Sequence, residues 1–405
     1  LPNSLTTIED SAFNNCSSLK FENIIIPNTL ISIGNYAFSG CKGLTSVTIP
    51  GNVKTIGNYA FSSCTSLKTA VIKNGVESIG ERTFSDCTAL ESLTLPYAGL
   101  SESKIEENSY PLYANLFNYS TVEGTYSAGS YGIPEKLTSI TITGGTRIPN
   151  SAFYGMSGLK TINLPNTITN IGSNALYGCS SMTGIKLPNS LTTIEDSAFN
   201  NCSSLKFENI IIPSTLTSIG NYAFANCNGF TKLTVPGTIK TIGNYAFSGC
   251  KGLTSVTVSG TVKTIGNYAF NGCTSLKIVV IKNGVESIGE RTFSDCTALE
   301  SLTLPYAGLS IENVKNNTYP LSTNLFSYGV PEGTYSATGN GYNGVPKTLT
   351  SITITGGTRI PNRAFYGMSS LKTINIPNTI TSIGDYAFYG CTGLNKLYID
   401  KTPIT

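Results

Sequence analysis

The hexapeptide Ile-Gly-Asn-Tyr-Ala-Phe occurs five times in this chain, ending at Phe38, Phe61, Phe224, Phe247 and Phe270. Aligned on its last residue, looser copies fall at Phe13, Phe84, Phe153, Leu176, Phe199, Phe293, Phe365 and Phe388, and most neighbouring anchors lie 23 residues apart. A fixed period of this size marks a unit that cannot bury its apolar face alone, so copies must stack, each touching only its neighbours. Residues 1–405 therefore read as one elongated array with a continuous core.

One period shows how a turn is built. In Leu44 to Ile49, apolar Val47 and Ile49 alternate as a half-buried strand requires, and Pro50 ends the run. Val53 and Ile56 face inward next, and Gly57 is expected to supply a bend with positive φ. Asn58 to Phe61 suits one capped helical turn with Ala60 and Phe61 inside. Cys64 and Leu67 then lead to the next strand. Stacking such turns aligns the strands in a parallel sheet about 4.8 Å apart and lines like residues into ladders.

The repeat Leu-x-x-Val/Ile-x-Ile-Pro-x-x-Val/Leu-x-x-Ile-Gly-x-x-Ala-Phe-x-x-Cys, seen from Leu44 to Cys64 and again from Leu253 to Cys273, resembles the BspA-like leucine-rich repeat family. The resemblance recurs along nearly the whole chain. It implies a β-rich, right-handed leucine-rich-repeat solenoid with a parallel β-sheet and short helical turns, on a secreted or surface-displayed protein regarded as an adhesin for host matrix proteins or other microbes. It does not name the ligand.

The array is itself duplicated. Residues 1–27 recur unchanged as 187–213, and 71–101 as 280–310, so 1–186 and 187–405 are near-copies, the second carrying one additional turn. The period breaks twice, over 96–136 and 305–348, where Tyr-Pro-Leu-x-x-Asn-Leu-Phe appears as Tyr110 to Phe117 and Tyr319 to Phe326. Phe117 and Phe326 read as anchors of enlarged turns, which makes about 15 turns in all. The two blocks agree in their regular turns and diverge inside these insertions. Loops inserted from a solenoid face are frequent binding sites, and a solvated excursion is the equal alternative.

Chemistry is constrained by what is missing. The chain has no histidine, which removes the commonest general base and every Ser-His or Cys-His arrangement. All eleven cysteines stand three residues after an anchor, at a position that Met156 and Met368 also fill. A ladder of buried free thiols is expected there, with no disulfide framework and no metal site. Glu77, Glu81, Asp86 and Glu91, with Glu286, Glu290, Asp295 and Glu300, gather before the insertions; solvated or ion-paired acids are expected, with a calcium site or a carboxylate pair for glycoside cleavage as alternatives. Lys54, Lys240 and Lys263 read as a sparse solvated row. Sequons at Asn15, Asn118, Asn201 and Asn316 read as chance in an Asn- and Ser-rich chain.

All five arginines, Arg82, Arg147, Arg291, Arg359 and Arg363, flank the insertions. Their forked guanidinium suits pinning an irregular loop onto a regular stack. The alternative is a ligand patch formed with the loop tyrosines Tyr110, Tyr113, Tyr119, Tyr126 and Tyr131, and Tyr319, Tyr328, Tyr335 and Tyr342, because Tyr and Arg are enriched at binding hot spots. Charged residues are only 12%, about half the usual share, so the surface must be Ser, Thr and Asn. The net charge of +3 gives no reason to expect nucleic acid, and no apolar run reaches the roughly 18 residues of a membrane span. These readings converge on a non-enzymatic extracellular or cell-surface protein without a cofactor, recognising a host or microbial surface protein, with a glycan as the other partner. A structural spacer and a polysaccharide-active enzyme are the rivals. A monomer is expected, with end-to-end association open to it.

Overall fold

The computed structural model describes residues 1–19, 25–99, 101, 112–117, 132–206, 212–308, 310, 312, 321–326 and 345–400. They divide into two compact units, the first built on Leu1–Leu205 and the second on Ser214–Thr405. Each is a parallel β-solenoid.

In the first unit the strands Ser46–Ile49, Thr69–Ile72, Ser92–Leu95, Ser139–Ile142, Thr161–Asn163 and Gly184–Ile185 form one parallel sheet in chain order. Register carries each residue onto its equivalent one turn later, as in Val47 beside Ala70 and Ile49 beside Ile72. The expected alternation holds: Val47 and Ile49 are buried between the less buried Ser46 and Thr48. A second row consists of two-residue strands, Thr7–Ile8, Ser32–Ile33, Thr55–Ile56 and Ser78–Ile79, each with its isoleucine inward. In the second unit the longer strands run from Lys232–Val235 through Ser255–Val258, Ile278–Ile281, Ser301–Leu304, Ser351–Ile354 and Thr373–Ile376 to Lys396–Ile399.

The third side of each turn is a run of hydrogen-bonded turns, with no helix over Asn58 to Phe61. The N–H groups of Tyr36, Phe38 and Gly40 donate to the carbonyls of Asn58, Ala60 and Ser62 at 2.9, 2.8 and 2.8 Å, and Tyr59, Phe61 and Ser63 repeat this onto Glu81, Thr83 and Ser85. Backbone groups that a lone turn would leave orphaned are thus satisfied by the next. This geometry puts Tyr59 and Ser63 in the left-handed region, at φ 56° and 55°. Positive φ was expected at Gly57, and Gly57 does not have it. It is glycine for a different reason: a Cβ there would sit 2.4 Å from the backbone nitrogen of Asn35 and 2.5 Å from the carbonyl carbon of Gly34 in the preceding turn.

Inside, phenylalanines stack from turn to turn. Phe13, Phe38 and Phe61 are spaced 5.1 and 5.2 Å between centroids, and Phe224, Phe247 and Phe270 are spaced 5.5 and 5.4 Å. The cysteines are all free thiols. They do more than fill space, because the Phe38 carbonyl accepts the backbone N–H of Cys41 at 3.3 Å and the Cys64 thiol at 3.2 Å. Cys87, Cys179, Cys250 and Cys273 repeat the bond onto Phe61, Phe153, Phe224 and Phe247.

The enlarged turns keep their place in the stack. Phe84 N–H donates to the Leu116 carbonyl at 2.9 Å just as Phe61 N–H donates to Thr83, which puts the fully buried Phe117 where an anchor belongs, at the end of helix Leu112–Leu116. Phe293 and Leu325 repeat this beside Phe326, in helix Leu321–Phe326. Ser92–Leu95 pairs directly with Ser139–Ile142, and Ser301–Leu304 with Ser351–Ile354, so the long sheet passes through undisturbed. The short-strand row does not: Ser78 meets Ser101 antiparallel, and Ser287 meets Ser310 likewise. Asn74 and Thr143 clasp across the enlarged turn, amide to carbonyl at 3.2 Å and hydroxyl to amide oxygen at 2.5 Å.

Candidate functional site

The residue two before each anchor faces outward and adopts φ near +55° in turn after turn: Ser11, Tyr36, Tyr59 and Arg82, then Ser151, Asn174 and Ser197, then Tyr222, Tyr245, Tyr268 and Arg291, and finally Arg363 and Tyr386. For a residue with a Cβ this conformation costs about 1 kcal/mol, and Asn carries it best. Tyrosine is not what the backbone asks for. Five of these six tyrosines also cluster, in the turns leading up to each insertion, with Tyr386 beyond the second.

In the second unit Tyr222 and Tyr245 stack at 4.6 Å with planes 3° apart, and Tyr245 and Tyr268 at 4.6 Å with planes 4° apart. The Arg291 guanidinium lies over the Tyr268 ring, 5.6 Å from its centroid, and donates to the Tyr268 hydroxyl. The first unit has the shorter version, Tyr36 on Tyr59 at 4.8 Å and then Arg82 over Tyr59 at 5.7 Å, with Arg82 donating to the Tyr59 hydroxyl at 2.6 Å. Beyond each insertion a second stack stands one residue after the anchor, Tyr154 on Tyr177 and Tyr366 on Tyr389. Each enlarged turn is thus bracketed by stacked tyrosines. Beside the first stripe, the Asn35, Asn58, Asn244 and Asn267 side-chain oxygens accept the N–H of the following turn at 2.8 Å.

Of the residues singled out by sequence, Arg82, Arg291 and Arg363 join these columns, Arg363 over Tyr386 at 5.8 Å. Arg147 instead reaches Glu195 at 3.5 Å, an acid that also accepts from Asn170 and Ser173. Arg359 starts the short strand Arg359–Ile360. Tyr110, Tyr119, Tyr126, Tyr131, Tyr319, Tyr328, Tyr335 and Tyr342 lie outside the described residues, and Tyr113 is described only as part of its helix. The stacked tyrosines belong to the regular turns, and only comparison of position i with i+23 marks them as a column.

Four of the eight acids before the insertions are ion-paired, each with a lysine one turn earlier. Glu77 pairs with Lys54 at 2.8 Å, Glu91 with Lys68 at 3.9 Å and Glu300 with Lys277 at 3.0 Å, while Glu286 takes Lys263. Lys54 and Lys263 are exposed, as expected of a solvated row, and each also carries an ion pair. All four pairs are exposed, so Glu77→Gln or Glu286→Gln is expected to lower stability by about 0.5 kcal/mol or less, read from urea unfolding at low and high salt. Among the described residues no group of three or more acids or cysteines is placed to hold a metal ion.

These ladders define a leucine-rich-repeat solenoid. The chain belongs to the family of the BspA type leucine rich repeat region, whose model matches residues 1–118, 131–207, 205–326 and 340–405. That membership is consistent with a protein-binding or surface role and with a scaffold that does no chemistry. A search of curated proteins gives no match. Among solved structures, the chain is similar to a leucine-rich repeat protein from Bacteroides ovatus, 26% identical over 91% of this chain and 82% of that one, with a TM-score of 0.47. A leucine-rich repeat protein of T. pallidum is 29% identical over 40% of this chain and 77% of its own, with a TM-score of 0.37. A leucine-rich cell surface protein from Faecalibacterium prausnitzii is 22% identical over 92% and 84%, with a TM-score of 0.31. Among the described residues no helix is long and apolar enough to cross a membrane.

Proposed function

We propose that this chain is a non-enzymatic adhesin displayed outside the cell, which holds host matrix proteins or other cell surfaces through its insertions and the rows of side chains around them. The observation that carries this reading is that each insertion is spliced into the stack without interrupting the long sheet. A rigid frame thereby presents two segments that differ in sequence while the turns holding them are nearly identical. Such a frame lowers the ordering cost of binding, and two copies on one chain supply avidity. The low charge of the chain favours many short polar contacts over electrostatic capture. The near-duplicate blocks 1–186 and 187–405 are read here as two binding modules.

The test is binding to immobilised matrix proteins and to glycans, beside a variant whose residues 102–133 and 311–345 are replaced by regular-turn linkers. Loss of matrix-protein binding with the insertions, at unchanged circular dichroism, is the expected result. Retained binding would move the site to the repeat face, and a chain that binds nothing would make it a spacer.

A further inference from the structure

The adhesive reading leaves open what the tyrosine stripe recognises, and its geometry narrows the choice. Nothing in the fold requires tyrosine there, because Ser151, Asn174 and Ser197 occupy the same position at the same φ. Unusual residues kept at a conformation they do not favour point toward function. Tyr222 is 41% exposed at the outer end of its stack.

Within the stripe the facing sides of neighbouring rings cover one another at 4.6 Å. What the column turns outward is therefore ring edges and phenol hydroxyls, which both donate and accept. That disfavours a proline-rich ligand, which docks against open aromatic faces. The hydroxyls recur at one fixed spacing along the stack, with the Asn244 and Asn267 amides held beside them by their bonds to the next turn. An extended peptide advances about 3.3 Å per residue, so like-facing residues recur about every 6.7 Å and fall out of step with the column. A sugar chain repeats its hydroxyls once per residue, on the length scale of the column itself. Arg291 closes the row with a cation at the edge of the insertion.

Resting on the adhesive reading above, we infer that the Tyr222, Tyr245, Tyr268 and Arg291 column is a polysaccharide-binding strip, which takes an extended glycan parallel to the stack with successive sugars hydrogen-bonded to successive phenols. The Tyr36, Tyr59 and Arg82 column is a shorter copy of the same strip.

The test uses the whole chain and a panel of linear hexasaccharides of plant, fungal and bacterial wall types, with affinities measured by calorimetry. At least one hexasaccharide should bind, and affinity should climb as its own di-, tri- and tetrasaccharides are compared, since each added sugar meets another phenol. The triple variant Tyr222→Ser, Tyr245→Ser and Tyr268→Ser adopts the residue the fold already uses at Ser197, and should lose at least tenfold in affinity with its circular dichroism unchanged. The single change Tyr222→Ser, at the exposed end of the stack, should cost about threefold and serves if the triple variant is unstable. Binding to matrix proteins with no hexasaccharide bound would overturn the strip and leave the adhesive reading standing. Undiminished glycan affinity in the folded triple variant, or in Tyr222→Ser, would also overturn the strip, and failure to bind protein or glycan would overturn both.

Discussion

Raising the pH from 8.5 to 11 under reducing conditions should unfold the solenoid, because its core is a column of thiols that must keep their protons. Burial pushes Cys87, Cys202 and Cys250 from the ordinary 9.0 to about 12 and Cys41 to about 11, and also raises Cys64, Cys179 and Cys296. Folded values above unfolded ones mean that this stability is fully present below pH 9 and is lost as pH rises toward 12. Each such thiol removes about 1.4 kcal/mol per pH unit in that window. Cys87 and Cys202 alone remove roughly 5 kcal/mol from the first unit between pH 9 and 11, comparable to the net stability of many domains. Tyr306, buried and near Glu286, is shifted in the same direction. Circular dichroism against pH measures the midpoint. Cys87→Met with Cys202→Met, using the residue native to this position at Met156 and Met368, should move that midpoint upward. An unchanged midpoint would show that the thiols do not set it. Below pH 9 the same burial should leave the core thiols unreactive toward an aromatic disulfide reagent.

One glycine-to-alanine change should damage the fold severely while another improves it. Gly57→Ala drives a methyl group into the backbone of the preceding turn, against atoms 2.4 to 2.8 Å away that belong to Gly34 and Asn35. Backbone cannot swing aside as a side chain can, so a loss of about 3 kcal/mol or more is expected, concentrated in the two turns that meet there. Gly184→Ala meets nothing within 4 Å and needs no positive φ, so it should be neutral or stabilise by about 0.5 kcal/mol through the unfolded chain. Urea unfolding followed by fluorescence and by hydrogen exchange separates the two cases. Equal effects would mean that close turn-to-turn approach is not what selects glycine at position 57.

That Val47, Ile49, Ala60, Phe61 and Cys64 point inward, and that Phe117 and Phe326 anchor enlarged turns, was legible in the sequence, because burial follows from a residue's place in its own period. Positions whose role depends on the neighbouring turn are not legible in this way. The spacing suggests a bend at Gly57, which instead answers to backbone one turn earlier, and it gives no sign that the Cys64 thiol serves the Phe38 carbonyl. Lys54 finds its partner Glu77 only when turns are stacked, and Tyr222, Tyr245 and Tyr268 become a column only at that point. Amino-acid order alone establishes the repeat, the inward face of each turn and the places where the repeat is interrupted, since these depend on spacing along the chain. Which conformation each turn residue bears, and what it touches across 23 residues, emerges only in the folded stack, since both are set by the turn stacked upon it.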